Sequence, residues 1–218
     1  MTRCGRRLAR DVPRGARDRG AADCRAGLDA TSPVASVCRR GDTPSVGVRN
    51  YLVEGVSGTG KTSVCHELRR RGHDAVNGDT DLAYQGDPAT GRPTDTAVHE
   101  HHLWDVRRVR ELVADRGAPV TFFCGGSRNF ADFIDLFDDV FVLEVDVDTL
   151  LSRLDQRVGD EWGAQPSERS LVVRLHRTGE DVPSSGIAID ATRPLSEVVD
   201  EVLRRAGVTS GDPRRPRG

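Results

Sequence analysis

Lysine is almost missing from this sequence: of its 32 basic residues, Lys61 is the one lysine and the rest are arginine. Aromatic residues are scarce at 5%, and there is a single methionine. No apolar run approaches the roughly 18 residues that a transmembrane helix needs, which excludes a helical span. The five cysteines, Cys4, Cys24, Cys38, Cys65 and Cys124, form no C-x-x-C and have no metal-like spacing with histidine. That usage points to a reducing, cytoplasmic setting. A charge excess of one sign is absent too. With 34 acidic and 32 basic residues the formal charge is −2, which gives no reason to expect nucleic acid or an anionic membrane as partner. At 218 residues the chain suits one domain plus an appendage.

Residues 1–46 form that appendage. They show no apolar periodicity and are rich in Arg, Gly, Ala and Asp, so a disordered tail is expected. Its aspartates argue against a transit peptide, and it has no apolar core of a secretory signal. A dispensable linker, and a true start near Val46 or Val48, both stay open. The folded domain is expected over 47–207, with a short disordered tail over 208–218.

What is present centres on Gly55-Val56-Ser57-Gly58-Thr59-Gly60-Lys61-Thr62, which fits G-x-x-x-x-G-K-[ST], the phosphate-binding P-loop. The apolar run Tyr51-Leu52-Val53 before it reads as a buried strand, and Lys61 to Arg71 reads as a helix closed by Gly72. In that context the glycines let successive N–H groups point at phosphate oxygens, and the helix N-terminus adds partial positive charge. Lys61 then reaches the β- and γ-phosphates of ATP, and the Thr62 hydroxyl holds Mg²⁺. A guanidinium fork is a poor substitute for a compact ammonium inside a tight loop, which accounts for a lysine here in an arginine-rich chain.

From Val48 onward, short apolar runs alternate with amphipathic segments, the sign of an α/β fold with a parallel sheet and crossover helices. The expected strands are 49–53, 74–76, 119–124, 140–145 and 186–189. The expected helices are 61–71, 97–116, 129–137, 147–157, 167–177 and 194–206. Ligands belong at the carboxyl ends of such strands.

Several groups lie at those ends. Asp79 and Asp81 follow the second strand, expected beside the P-loop strand, where one carboxylate can serve Mg²⁺ and the other an acceptor hydroxyl. Gly125 and Gly126 follow the third and allow close approach of a ligand, with Arg128 placed to clamp an anionic substrate. Arg153 and Arg157 share a helix face, a Gly-containing stretch follows, and Arg174 and Arg177 come on the next helix; together these read as a closing lid. Thr192 and Arg193 sit in a turn near the P-loop, on the side of the adenine. His99, His101 and His102 lack metal-ligand spacing and suit the surface or an acceptor pocket.

These residues resemble the small P-loop kinases, the family of shikimate, gluconate, adenylate and related nucleoside and nucleotide kinases. The similarity covers about 48–206. It implies a three-layer P-loop NTPase fold, a five-stranded parallel sheet flanked by helices, with a short lid. Asp79-Thr80-Asp81 resembles the D-x-D of shikimate kinase, which assigns Asp79 to Mg²⁺ and Asp81 to the acceptor. Gly125-Gly126 is similar to that enzyme's substrate loop. Arg153-Leu154-x-x-Arg157 is similar to the R-L-x-x-R entering the adenylate kinase lid. The implied ATP contacts are Gly55 to Ser63, Arg153, Thr192 and Arg193; the implied acceptor contacts are Asp81, Gly125, Gly126, Arg128 and Arg174. Two departures stand out. No arginine matches the shikimate-binding one after the D-x-D, with Arg92, Arg107, Arg108 and Arg110 as substitutes, and no separate Walker B aspartate exists. The expectation is a monomeric or homodimeric kinase acting on a small molecule, with a slight lean to a nucleoside or nucleoside monophosphate. An acceptor-independent ATPase or nucleotide sensor is the alternative.

Overall fold

The computed structural model describes residues 48–159 and 161–208. The expected tails over 1–46 and 208–218 therefore lie outside the described residues, apart from Val208, which packs on the core.

Five strands, β1 (Arg49–Glu54), β2 (Asp74–Asn77), β5 (Val120–Cys124), β6 (Asp139–Glu144) and β7 (Ile187–Asp190), form a parallel sheet in the order β2-β5-β1-β6-β7. Both faces of its central strands are buried, which is why β1, β5 and β6 read as nearly continuous apolar runs. Tyr51, Val53, Phe122 and Phe141 face one layer, containing α1 (Lys61–Arg70), α4 (Val147–Asp155), α5 (Pro166–Thr178) and α6 (Leu195–Arg205). Leu52 and Phe123 face the other, built from α3 (Val106–Ala114) and two 3₁₀ turns, Phe130–Asp132 and Ile134–Leu136. Phe122, Phe123 and Phe141 are fully buried. At roughly 1.5–3 kcal/mol each, they anchor the scaffold far more firmly than its exposed Arg–Glu pairs do. Cys65 and Cys124 are buried, free thiols.

Three expectations are corrected. The helix expected over 97–116 is a 3₁₀ turn (His99–His101), a strand β4 (His102–Trp104) and then α3. Asp105 decides this: its carboxylate accepts from the N–H groups of Arg107 (2.9 Å) and Arg108 (3.2 Å), so the helix starts there. The residues before it pair instead with β3 (Ala83–Gln85) in an antiparallel hairpin. The helix expected over 129–137 is only the two 3₁₀ turns, because Asn129 commits its amide to both backbone polar groups of Trp104 rather than to capping. Finally, β2 does not neighbour β1; β5 lies between them.

Candidate active site

The loop after β1 curls around residues 55–60, with Gly58 (φ 96°) and Gly60 (φ 104°) in conformations that side-chain-bearing residues rarely adopt. Thr59 donates its N–H (3.2 Å) and its hydroxyl (2.8 Å) to the Val56 carbonyl, closing the turn. Lys61 opens α1, and its ammonium lies back over the loop, donating to the carbonyls of Gly55 (2.5 Å) and Val56 (3.2 Å). Arg153 ties the loop to the turn after β7, donating to the carbonyls of Thr59 (2.9 Å) and Ala191 (2.7 Å). Arg157 donates to the Ser57 hydroxyl (3.0 Å) and to the Trp162 carbonyl. A cavity of about 480 Å³ lies over this loop, bordered by Gly58, Thr62, Ser63, Arg153, Arg157 and Arg193. Thr192 turns away from it: its N–H (3.0 Å) and hydroxyl (2.6 Å) both go to Asp190.

On the other side of Lys61 is a second cavity of about 310 Å³. It is lined by Asp79, Gln85, His99, His102, Gly126, Arg128, Trp162 and Asp181, together with Val56 and the Ser57 and Lys61 that the first cavity shares. Asp79 reaches it from α2 (Gly78–Asp81), accepting from the Gly126 N–H (3.2 Å) and lying 3.3 Å from His102 Nε2. Burial opposes its ionisation, but the His102 hydrogen bond, the Lys61 charge and the Gly126 N–H prevail and hold its pKa below the usual carboxylate range. Gly125 is required behind it: a Cβ there would come within 2.7 Å of the Trp104 ring and 2.8 Å of Asp79 Oδ1.

Asp81 does not join Asp79. The two residues sit on a helical turn, where positions i and i+2 point in nearly opposite directions, and not on an extended segment, where they would share a face. Its carboxylate accepts from Arg69 (3.2 Å), the Asn77 N–H (3.1 Å) and the Thr80 hydroxyl (2.8 Å), outside the cavity. Arg174 is also displaced. It stands exposed on α5, paired with Glu180 (3.3 Å), and lines neither cavity. Arg128 does line the second cavity, but its guanidinium is paired with the Asp181 carboxylate and also donates to the Asp181 carbonyl (3.2 Å). His99 and His102 line it as well, as one of the two settings expected for the histidines.

The residue the sequence reading passed over is Glu54, the last of β1. It is 1% exposed, accepting from the N–H groups of Gly55 (2.6 Å) and Ser127 (3.3 Å). A Cβ on Gly126 would be 3.7 Å from both carboxylate oxygens, so Glu54 lies directly beneath the second cavity's floor. Burial pushes its pKa up to about 7, against the Lys61 charge, the Gly55 N–H and Arg128. The available signal was an acidic residue ending an apolar run immediately before the P-loop glycine.

A parallel sheet with its strands in this order, and a P-loop joining the central strand to a helix, defines the P-loop NTPase fold. No protein-family model and no curated protein matches the sequence. Solved structures similar in fold include a sugar kinase from a Janibacter species, 21% identical, covering 75% of this chain and 96% of its own, with a TM-score of 0.49. A gluconokinase from Sinorhizobium meliloti is 23% identical over 72% of this chain and 90% of its own (TM-score 0.45). A shikimate kinase from Bacteroides thetaiotaomicron is 12% identical over 73% and 99% (TM-score 0.47). All three are small P-loop kinases.

Proposed function

We propose that the chain is an ATP-dependent phosphotransferase that moves the γ-phosphoryl group of ATP–Mg²⁺ to a hydroxyl of a small acceptor. The observation that carries this reading is the meeting of two cavities at one ammonium, since Lys61 and Ser57 border both. In-line transfer needs donor and acceptor on opposite sides of the phosphorus. An ATPase needs room only for water, whereas about 310 Å³ beside the P-loop accommodates an organic molecule.

The loop N–H groups and the α1 N-terminus take the β- and γ-phosphates. Lys61 leaves its carbonyl partners and offsets the charge that develops on the transferring group. Arg153 keeps the loop's shape, and Arg157 closes over the phosphates from the lid. Thr62 and Asp79 are the residues that fit Mg²⁺. The Thr62 side chain is exposed at the start of α1, Asp79 is ionised, and no cluster of three His, Cys, Asp or Glu suited to a metal exists among the described residues. That donor set suits an ion arriving on the nucleotide's phosphates with its waters. When bound, Mg²⁺ neutralises charge on the β- and γ-oxygens.

We assign the proton of the acceptor hydroxyl to Glu54, which lies beneath Gly126 at the cavity floor, so the transfer runs through a bridging water or a shift at Gly126. With a pKa near 7 it is poised as a general base, while Asp79, held below the usual range, is the better ligand for a cation. Two carboxylates whose environments separate their pKa values divide the work between them. The test is ATP consumption by the full chain with Mg²⁺ across a panel of small hydroxyl acceptors, with Lys61→Ala as blank. A Lys61-dependent rise with one acceptor class is expected. The same Lys61-dependent rate whatever is added would make the protein an ATPase and remove the role given to Glu54.

A further inference from the structure

Resting on that reading, we propose that the acceptor is an uncharged, hydroxyl-bearing molecule with a flat ring, of the nucleoside type, and not an anion such as a nucleoside monophosphate or a sugar acid. The second cavity offers no unspent cation. Among its described lining residues, Arg128 is consumed by the Asp181 carboxylate and carbonyl. His99 holds the other oxygen of the same carboxylate at 2.5 Å through Nε2, so its ring is committed to Asp181. His102 is engaged by Asp79, and Lys61, which borders both cavities, donates to the Gly55 and Val56 carbonyls. Against these stand the carboxylates of Asp79 and Asp181 in the lining and Glu54 beneath it. An anionic acceptor would bring a further charge into this space with only the single Arg128 Nε–H unspent to meet it, which is unfavourable.

What the cavity does offer is an aromatic pair. The His99 and Trp162 rings are stacked at 5.5 Å between centroids and 16° between planes, and both border the cavity. Such a surface suits a planar ring. Two lining side chains also carry unspent hydrogen-bonding capacity: Gln85 Oε1, an acceptor, and Arg128 Nε, a donor, are buried with no partner. A ring edge with one donor and one acceptor, as in a nucleobase or a cyclic amide, satisfies both once the two side chains turn these atoms into the cavity. Trp162 is also bonded through its carbonyl to Arg157 of the nucleotide side, so a ring seated against it bears on the lid that covers the phosphates.

The test uses matched acceptors that differ in charge: adenosine and thymidine against their 5′-monophosphates, a neutral sugar against its aldonic acid, and a hydroxymethyl-substituted aromatic amide without ribose. Two readouts run in parallel on the full chain, namely acceptor-dependent ATP consumption and tryptophan emission in the presence of a non-hydrolysable ATP analogue. The chain has two tryptophans, and Trp104 is fully buried, so Trp162→Phe removes the signal that a ring in the cavity would change. The expected result is kcat/KM at least ~10-fold higher for the neutral ring compound than for its anionic partner, with saturable quenching that Trp162→Phe abolishes. Preference for the nucleoside over the amide would identify the ribose as read; the reverse would identify the ring alone. Asp181→Asn, which frees Arg128, should shift the ratio toward the anion by ~10-fold. Faster turnover of the anionic member, or of a ringless sugar, would overturn this inference and leave the kinase reading standing. Absence of acceptor-dependent turnover would remove the kinase reading, and the quenching series would then decide the ligand class alone: neutral ring over anion upholds it, and any other order or no response overturns it.

Discussion

The two cavities that meet at Lys61 are built in opposite ways. The cavity proposed for the nucleotide is bordered by a run of consecutive residues, Ser57 to Val64, braced by two arginines that bond to the loop. The cavity proposed for the acceptor gathers side chains from separate stretches: Asp79 from α2, Gln85 from β3, His99 and His102 around β4, Arg128 past β5, and Trp162 and Asp181 on either side of α5. A triphosphate presents the same oxygens to every enzyme that uses it, so one backbone curl serves. An acceptor has an individual shape, and only side chains can read it.

The largest expected effect breaks both sides at once. Lys61→Ala should lower turnover by at least ~10²-fold, on the scale of one lost oxyanion donor, in a steady-state ATP assay. Glu54→Gln should break the acceptor side alone. Acceptor-dependent kcat should fall by about 10²-fold while ATP-analogue binding persists, and the acid limb of the wild-type kcat/KM profile should lie near pH 7. The same change should flatten the pH dependence of stability, while its amide N–H₂ replaces one of the two oxygens that accept from the Gly55 and Ser127 N–H groups. A carboxyl whose pKa rises from 4.5 to about 7 on folding binds its proton more tightly in the native state. Native stability therefore falls as pH rises between those values, and the glutamine removes that loss. Melting should show the wild type losing ~3 kcal/mol between pH 4 and pH 8 relative to Glu54→Gln, whatever the offset set by the lost N–H bond.

Gly125→Ala tests the junction between the sides, since its Cβ would press on Trp104 and Asp79. A destabilisation of ~1–3 kcal/mol by denaturant melting, with raised acceptor KM, is expected. The smallest effect is reserved for Asp81→Asn. Its carboxylate lies outside the cavity in a half-exposed pair with Arg69, so turnover should change less than about threefold and stability by no more than ~1 kcal/mol. A loss comparable to Glu54→Gln would return Asp81 to the acceptor site.

The contrast between the cavities also explains what could be read from the sequence. Strand β1, the loop and α1 are local: apolar run, glycines and lysine follow one another, and each constrains its neighbours. The five parallel strands were legible for the same reason. The region 97–116 was not, because Leu103, Val106, Val109 and Val113 satisfy a helical period whether or not the chain is helical before Asp105, and the hairpin partner β3 is about twenty residues away. Asp81 was misplaced by assuming extended geometry where a helical turn begins. The Arg128–Asp181 pair, which engages the guanidinium expected to clamp an anion, joins residues 53 apart through tertiary packing alone. Glu54 was passed over because its burial depends on β5 and β6 flanking β1 on both sides, and no local pattern announces that.

The sole lysine also makes the site chemically singular. Guanidinium groups do not react with amine-directed acylating reagents near neutral pH, so the chain's only side-chain primary amine is the one where the two cavities join. A nucleotide carrying a mixed acyl anhydride on its terminal phosphate would leave its acyl group on Lys61. Apart from the α-amino terminus, no other amine in the protein competes, and the mass of the intact chain would then count occupied sites directly.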